Sequence, residues 1–90
     1  MPADQYAVRG VRWTNEAIVA VASLAGGDRR ILIERVELVA QFPAMYPARQ
    51  RGRFKGLRYF VVGRRWIVYY QVEQVFVSVI TVVPAKARPR

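Results

Sequence analysis

The run Val75-Phe76-Val77-Ser78-Val79-Ile80-Thr81-Val82-Val83, closed by Pro84, constrains this chain more than any other stretch. It is almost wholly β-branched, which suits an extended pleat, and the proline ends any ladder it joins. Val75, Val77 and Val79 are expected on one face, and Phe76, Ile80 and Val82 on the other. A strand that is apolar on both faces belongs in the middle of a sheet. Two more extended runs precede it: residues 57–62, bounded by Gly56 and Gly63, and residues 66–72, dense in aromatic and β-branched side chains. Gly63-Arg64-Arg65 and Glu73-Gln74 are short enough to be hairpin turns, so the three runs predict an antiparallel meander.

Upstream, residues 6–13 are predicted as a first strand, with Val11 and Trp13 on one side and Arg12 on the other. Thr14 and Asn15 offer capping side chains to a helix that continues through the small apolar residues Ala17 to Leu24. Gly26-Gly27 is expected to end that helix and Asp28 to cap the next. Leu32, Val36 and Val39 then recur at i, i+4 and i+7, one face of a helix that Phe42-Pro43 closes. Residues 44–56 read as a loop punctuated by Pro47, Gly52 and Gly56.

The expected fold is therefore α+β, in the order β-α-α-β-β-β, with an N-terminal helical hairpin packed on one face of a four-stranded, mainly antiparallel sheet. Its 90 residues make one domain, with a basic tail, residues 84–90, expected to fray. Two helices cover only one face. The other is expected to stay open yet not fully polar, so that a partner chain or a second copy of this one covers it.

The chain has neither cysteine nor histidine. Disulfides, thiolate nucleophiles, histidine-based triads and zinc ribbons are excluded, and neither a metal nor any other cofactor is expected. Net charge is +9 and unevenly placed: residues 1–37 carry five bases and five acids, whereas residues 38–90 carry ten bases and the single acid Glu73. Such one-sided cation density is expected of a surface that meets phosphates or an acidic protein. The N-terminus lacks the cationic and apolar parts of a secretory signal, and no apolar run approaches the ~18 residues of a membrane span. A cytoplasmic protein with no membrane partner is the expectation.

Seven cations fall within seventeen residues, with no acid among them: Arg49, Arg51, Arg53, Lys55, Arg58, Arg64 and Arg65. In an extended loop, Arg49, Arg51, Arg53 and Lys55 would share one side and could track a phosphate backbone. Tyr59, Phe60, Trp66, Tyr69 and Tyr70 lie close enough in sequence to stack on unpaired bases. The alternative use of the same rings is the sheet core.

The ordered set Val11-Arg12-Trp13-Thr14, Phe42-Pro43, Gly56-Leu57-Arg58-Tyr59-Phe60-Val61-Val62, Ile67-Val68-Tyr69-Tyr70-Gln71-Val72 and the valine-rich last strand resembles the RelE/ParE superfamily, small bacterial toxins of type II toxin–antitoxin systems. The resemblance covers about residues 6–88. It implies a cognate antitoxin with an acidic, amphipathic C-terminal segment, and a toxin that is free, homodimeric or hetero-oligomeric with that antitoxin. RelE-like members cleave mRNA on the ribosome with Lys, Arg and Tyr; ParE-like members lack that set and inhibit DNA gyrase.

Carried over residue by residue, the first cation of the RNA-cleaving set matches Arg58. The second falls on Phe60, the third on Ile67 and the fourth near Ala85, with Arg88 the nearest arginine; the C-terminal tyrosine finds no counterpart. The resemblance thus implies a ParE-like gyrase inhibitor, with target contacts expected on the basic tail (Lys86, Arg88 and Arg90) and the helical hairpin, while the charge pattern itself offers Arg49, Arg51, Arg53, Lys55 and Arg64 as nucleic-acid- or target-binding groups. The alternative it leaves is a ribosome-dependent mRNA endonuclease with Arg58, Arg65 and Tyr69 as its catalytic groups.

Overall fold

The computed structural model describes residues 10–85. The elements follow the order β1 (Gly10–Trp13), α1 (Asn15–Ala22), α2 (Gly26–Gln41), β2 (Arg58–Val62), β3 (Trp66–Val72) and β4 (Phe76–Pro84). The strands form one sheet in the order β1-β4-β3-β2. β4 is central, as its two apolar faces require: it pairs parallel with β1 and antiparallel with β3, which pairs antiparallel with β2. The basic tail beyond Ala85 and the start of the expected first strand lie outside the described residues.

Thr14 caps α1 as expected. Its hydroxyl oxygen accepts from the Ala17 amide at 3.0 Å and donates to the Ile80 carbonyl at 2.6 Å. The break between the helices differs from the reading. Gly26 and Gly27 are the opening residues of α2, whose N-cap is Ala25 without a side-chain cap bond. The Ser23 and Leu24 amides take the Val19, Ala20 and Val21 carbonyls, and Arg29 adds donors to Val21, Ala22 and, just past the helix, Leu24 at 3.2, 3.1 and 2.8 Å. A guanidinium replaces the glycine stop, because the last carbonyls of a helix need donors and take them from wherever the fold supplies them. Asp28, freed from capping, accepts from the Trp66 indole at 3.3 Å.

The helices cover one sheet face. Ala17, Val21 and Leu24, together with Leu32, Val36 and Val39, meet Phe60, Val62, Val68, Tyr70, Val77, Val79 and Val82 in a single core. The presence of Val82 there corrects the alternation expected for β4. Tyr69 pairs with Thr81 but Tyr70 pairs with Val79, leaving Ile80 as the extra residue of a β-bulge. The bulge shifts the register by one, so Val82 joins Val77 and Val79 on the helix side. The Ile80 carbonyl takes the Thr14 hydroxyl. At the β2–β3 turn, Arg65 donates its amide to Val62 at 3.0 Å, and both central residues, Gly63 and Arg64, have positive φ. That is the backbone a right-handed two-residue hairpin demands.

Candidate functional site

The cationic loop is shaped by its glycines. Pro47 to Arg49 runs antiparallel beside the start of β2: the Arg49 amide donates to Leu57 at 2.8 Å, Gly56 to Arg49 at 2.9 Å and Tyr59 to Pro47 at 3.1 Å. Between these rungs the chain makes a compact excursion, turning at Gly52 (φ +83°) and Gly56 (φ +89°). The single extended row expected of Arg49, Arg51, Arg53 and Lys55 is therefore replaced by a small cationic knob. Arg51, Arg53 and Lys55 are exposed on it, while Arg49 is half-buried at its base.

Two of these arginines rest on rings. The Arg49 guanidinium lies 5.2 Å from the centre of Tyr59, and that of Arg53 lies 5.1 Å from the centre of Phe54. Phe54 folds back from the knob and stacks on Tyr69, with centroids 4.1 Å apart and planes 21° apart; Tyr59 flanks Tyr69 at 6.0 Å. The result is a cation-capped aromatic series on the sheet face opposite the helices. Tyr69, 2% exposed, lies beneath it. The face expected to be open is thus closed over Tyr69 by the chain's own loop. Further along, Arg12 sits 3.7 Å over the Phe76 ring, Ser78 donates to Glu73, and Thr81 donates to Glu16.

Arg58 lies on the other side. It alternates with Tyr59 and so shares the helix-side face with Phe60 and Val62. Its guanidinium donates to the carbonyl of Tyr46. Tyr70, its partner across the strands, donates its hydroxyl to the Pro43 carbonyl at 2.9 Å, and the Tyr46 ring packs on Phe60 at 5.1 Å. Burial pushes the Tyr70 phenol above its ordinary value, with the Arg58 charge pulling the other way. Arg58 and Tyr70 thus fasten the segment leading into the knob.

The sequence-derived candidates are therefore divided. Arg49, Arg51, Arg53 and Lys55 come together. Arg58 and Tyr69 face opposite sides of the sheet. Arg64 and Arg65 stand exposed at the β2–β3 turn, roughly 15 Å along the strands from Arg58 at ~3.3 Å per residue. Lys86 and Arg88 lie outside the described residues. Sequence reasoning missed Phe54, the ring that covers Tyr69; the available signal was an aromatic residue set among cations and bracketed by Gly52 and Gly56.

Two concavities flank these groups. One, of about 410 Å³, is lined by Ala48 to Gly52 and Tyr59, so that Arg49 and Arg51 are part of its wall. The other, of about 540 Å³, is apolar and lies beside the helices, lined by Trp13, Ile18, Val21, Ala22, Arg29 and Ile33. The first suits an anion, because two arginines line it and no carboxylate does. The second suits a hydrophobic side chain. No helix among the described residues is long and apolar enough to cross a membrane.

A family model described as the ParE toxin of type II toxin–antitoxin systems, parDE, matches residues 11–88. Among solved structures, the chain is similar to one in the toxin–antitoxin complex RelBE2 from Mycobacterium tuberculosis, with 17% identity, a TM-score of 0.72, and coverage of 87% of this chain and 93% of that one. It is also similar to one in a chromosomal ParDE toxin–antitoxin system from P. aeruginosa, at 14% identity and a TM-score of 0.69, covering 88% and 98% of the two chains. A third likeness is to the archaeal RelE–RelB complex from Pyrococcus horikoshii, at 16% identity and a TM-score of 0.65, covering 88% and 97%. These likenesses show a shared fold. Among curated protein sequences none matches.

Proposed function

The chain belongs to the family of ParE toxins of type II toxin–antitoxin systems, and from that premise we propose that it arrests growth by inhibiting DNA gyrase and is neutralised by a cognate antitoxin. The observation that carries the choice of target is the placement of Arg58. It is the one cation of this chain that matches the RNA-cleaving pattern, and it is spent on the Tyr46 carbonyl, on the opposite sheet face from Tyr69. An RNA-cleaving site needs its cations and its proton donor around one phosphate. Arg58, Tyr69 and Arg65 do not surround a common point, and Tyr69 is roofed by Phe54. Inhibition by binding needs no such convergence.

The antitoxin we propose has an acidic, amphipathic segment. Its acids would answer the knob formed by Arg49 to Lys55, and its apolar side would answer the groove between Trp13 and Ile33. Two assays on the purified protein test the target. Gyrase supercoiling is expected to fall with added toxin, and primer extension on translating mRNA is expected to show no new cuts. Cleavage of ribosome-bound message with unaffected supercoiling would reverse the assignment.

A further inference from the structure

Around the knob, the aromatic faces that could stack on unpaired bases are already engaged. Phe54 lies on Tyr69 and under Arg53, while Tyr59 lies under Arg49 and beside Tyr69. The cationic ends remain outward. Arg51, Arg53 and Lys55 are exposed, and Arg49 and Arg51 wall a concavity of about 410 Å³. The scaffold under them is fixed by the Ala48–Arg58 bridge, by Arg58 on the Tyr46 carbonyl and by Tyr70 on the Pro43 carbonyl.

From this we propose that the knob binds the phosphates of duplex DNA, with Arg49 and Arg51 holding one phosphate in the concavity and Arg53 and Lys55 meeting its neighbours along the strand. Recognition of single strands leans on bases splayed against open rings. Recognition of a duplex backbone needs only fixed cations, and guanidinium groups match phosphate oxygens in a bidentate fork. The proposal rests on the gyrase reading for its biological setting, since gyrase works on duplex DNA, but the binding itself is tested without gyrase. Contacts of this kind carry no base sequence, so the expected affinity is insensitive to sequence and steeply dependent on salt.

The experiment is fluorescence anisotropy of the purified full chain with a labelled 20-base-pair duplex over a salt series. The wild type is compared with the doubly substituted Arg49→Gln/Arg51→Gln, with Arg51→Lys, and with Arg30→Gln, a control that removes one charge from an exposed position on α2. The slope of log Kd against log salt is expected to shrink by about 2 in the double variant and to stay near wild type in Arg51→Lys. Arg30→Gln is expected to leave the slope within about half a unit of wild type. Circular dichroism melts certify that each variant is folded.

Several outcomes overturn the proposal. They are absence of duplex binding at low salt, equal slope losses per charge removed in the double variant and in Arg30→Gln, tighter binding to a single-stranded RNA of equal length, or retention of polyglutamate but not of duplex. Supercoiling assays on the same variants separate the two readings. Inhibition by the wild type together with an unchanged salt slope in the double variant sinks the DNA contact and spares the gyrase assignment; a slope that falls as expected with no inhibition by the wild type does the reverse.

Discussion

The two faces of the sheet are covered by different means, fully on the helix side and only in part on the other, where Val61 stays exposed. On the helix side, aliphatic side chains from two helices meet Val62, Val68, Val77, Val79 and Val82, and Leu32 is fully excluded from solvent. On the other side, one ring from a loop, Phe54, covers Tyr69, and the buried hydroxyls of Ser78 and Thr81 are answered by Glu73 and Glu16. The first face is closed by area, which is redundant and insensitive to ionic conditions. The second is covered by single contacts whose outer ends carry charge. Stability should thus reside mainly on the helix face, and charge-dependent interaction on the loop face.

The largest expected effect tests the helix face. Leu32→Ala removes a side chain with no solvent exposure and is expected to cost about 3 kcal/mol in urea unfolding, from lost transfer energy and the cavity left behind. Gyrase inhibition per folded molecule should be unchanged. A loss of inhibition greater than the loss of folded protein would show that the helix face also meets the target.

Phe54→Ala tests the loop face. Phe54 is half-buried, so a cost of about 2 kcal/mol is expected, below the range for a fully buried aromatic. The more telling readout is Tyr69. With its roof gone, it should become reactive to phenol-acylating reagents while Tyr70, beneath the helices, stays protected. Equal reactivity of the two would mean that the faces do not open independently.

Arg58→Ala addresses the fastening between the faces. Losing a charged donor from the Tyr46 carbonyl is expected to cost about 1.5 kcal/mol and to speed amide exchange at Gly56 and Tyr59, whose rungs hold the knob. If Arg58 were instead a reacting group, activity would vanish with stability and exchange unaltered.

These distinctions were legible in the sequence only where local pattern decides the structure. The spacing of Leu32, Val36 and Val39 marked the buried stripe of α2, and the doubly apolar last run marked a central strand; both arise from short-range periodicity that burial enforces. The bulge at Ile80 was not legible, because its cause is tertiary: Thr14, distant in sequence, takes the carbonyl that the slipped register leaves free. The same holds for Arg29 and Arg58. Each is a surface cation by composition and a structural donor in the fold, since which backbone carbonyls lack partners is settled only when segments meet. The cations of the knob were found by their density, whereas their arrangement depended on two positive-φ glycines that turn the chain where alternation would have kept it straight.

Tyr70→Phe is the mildest test and the one that reads the fastening by pH. At neutral pH the loss of the hydroxyl's bond to Pro43 is expected to cost about 1 kcal/mol. Burial raises the phenol above 10.0 in the folded protein, whereas the unfolded chain ionises near the ordinary value. The stabilisation from keeping Tyr70 neutral is thus fully present below about pH 10 and declines as pH rises from there through the raised folded value. The variant has no such group, so the gap between wild type and Tyr70→Phe in urea midpoints should hold steady up to about pH 10 and narrow above it. A gap that stayed constant to higher pH would show that the phenol ionises alike in both states, and that the Pro43 contact is not sealed from solvent.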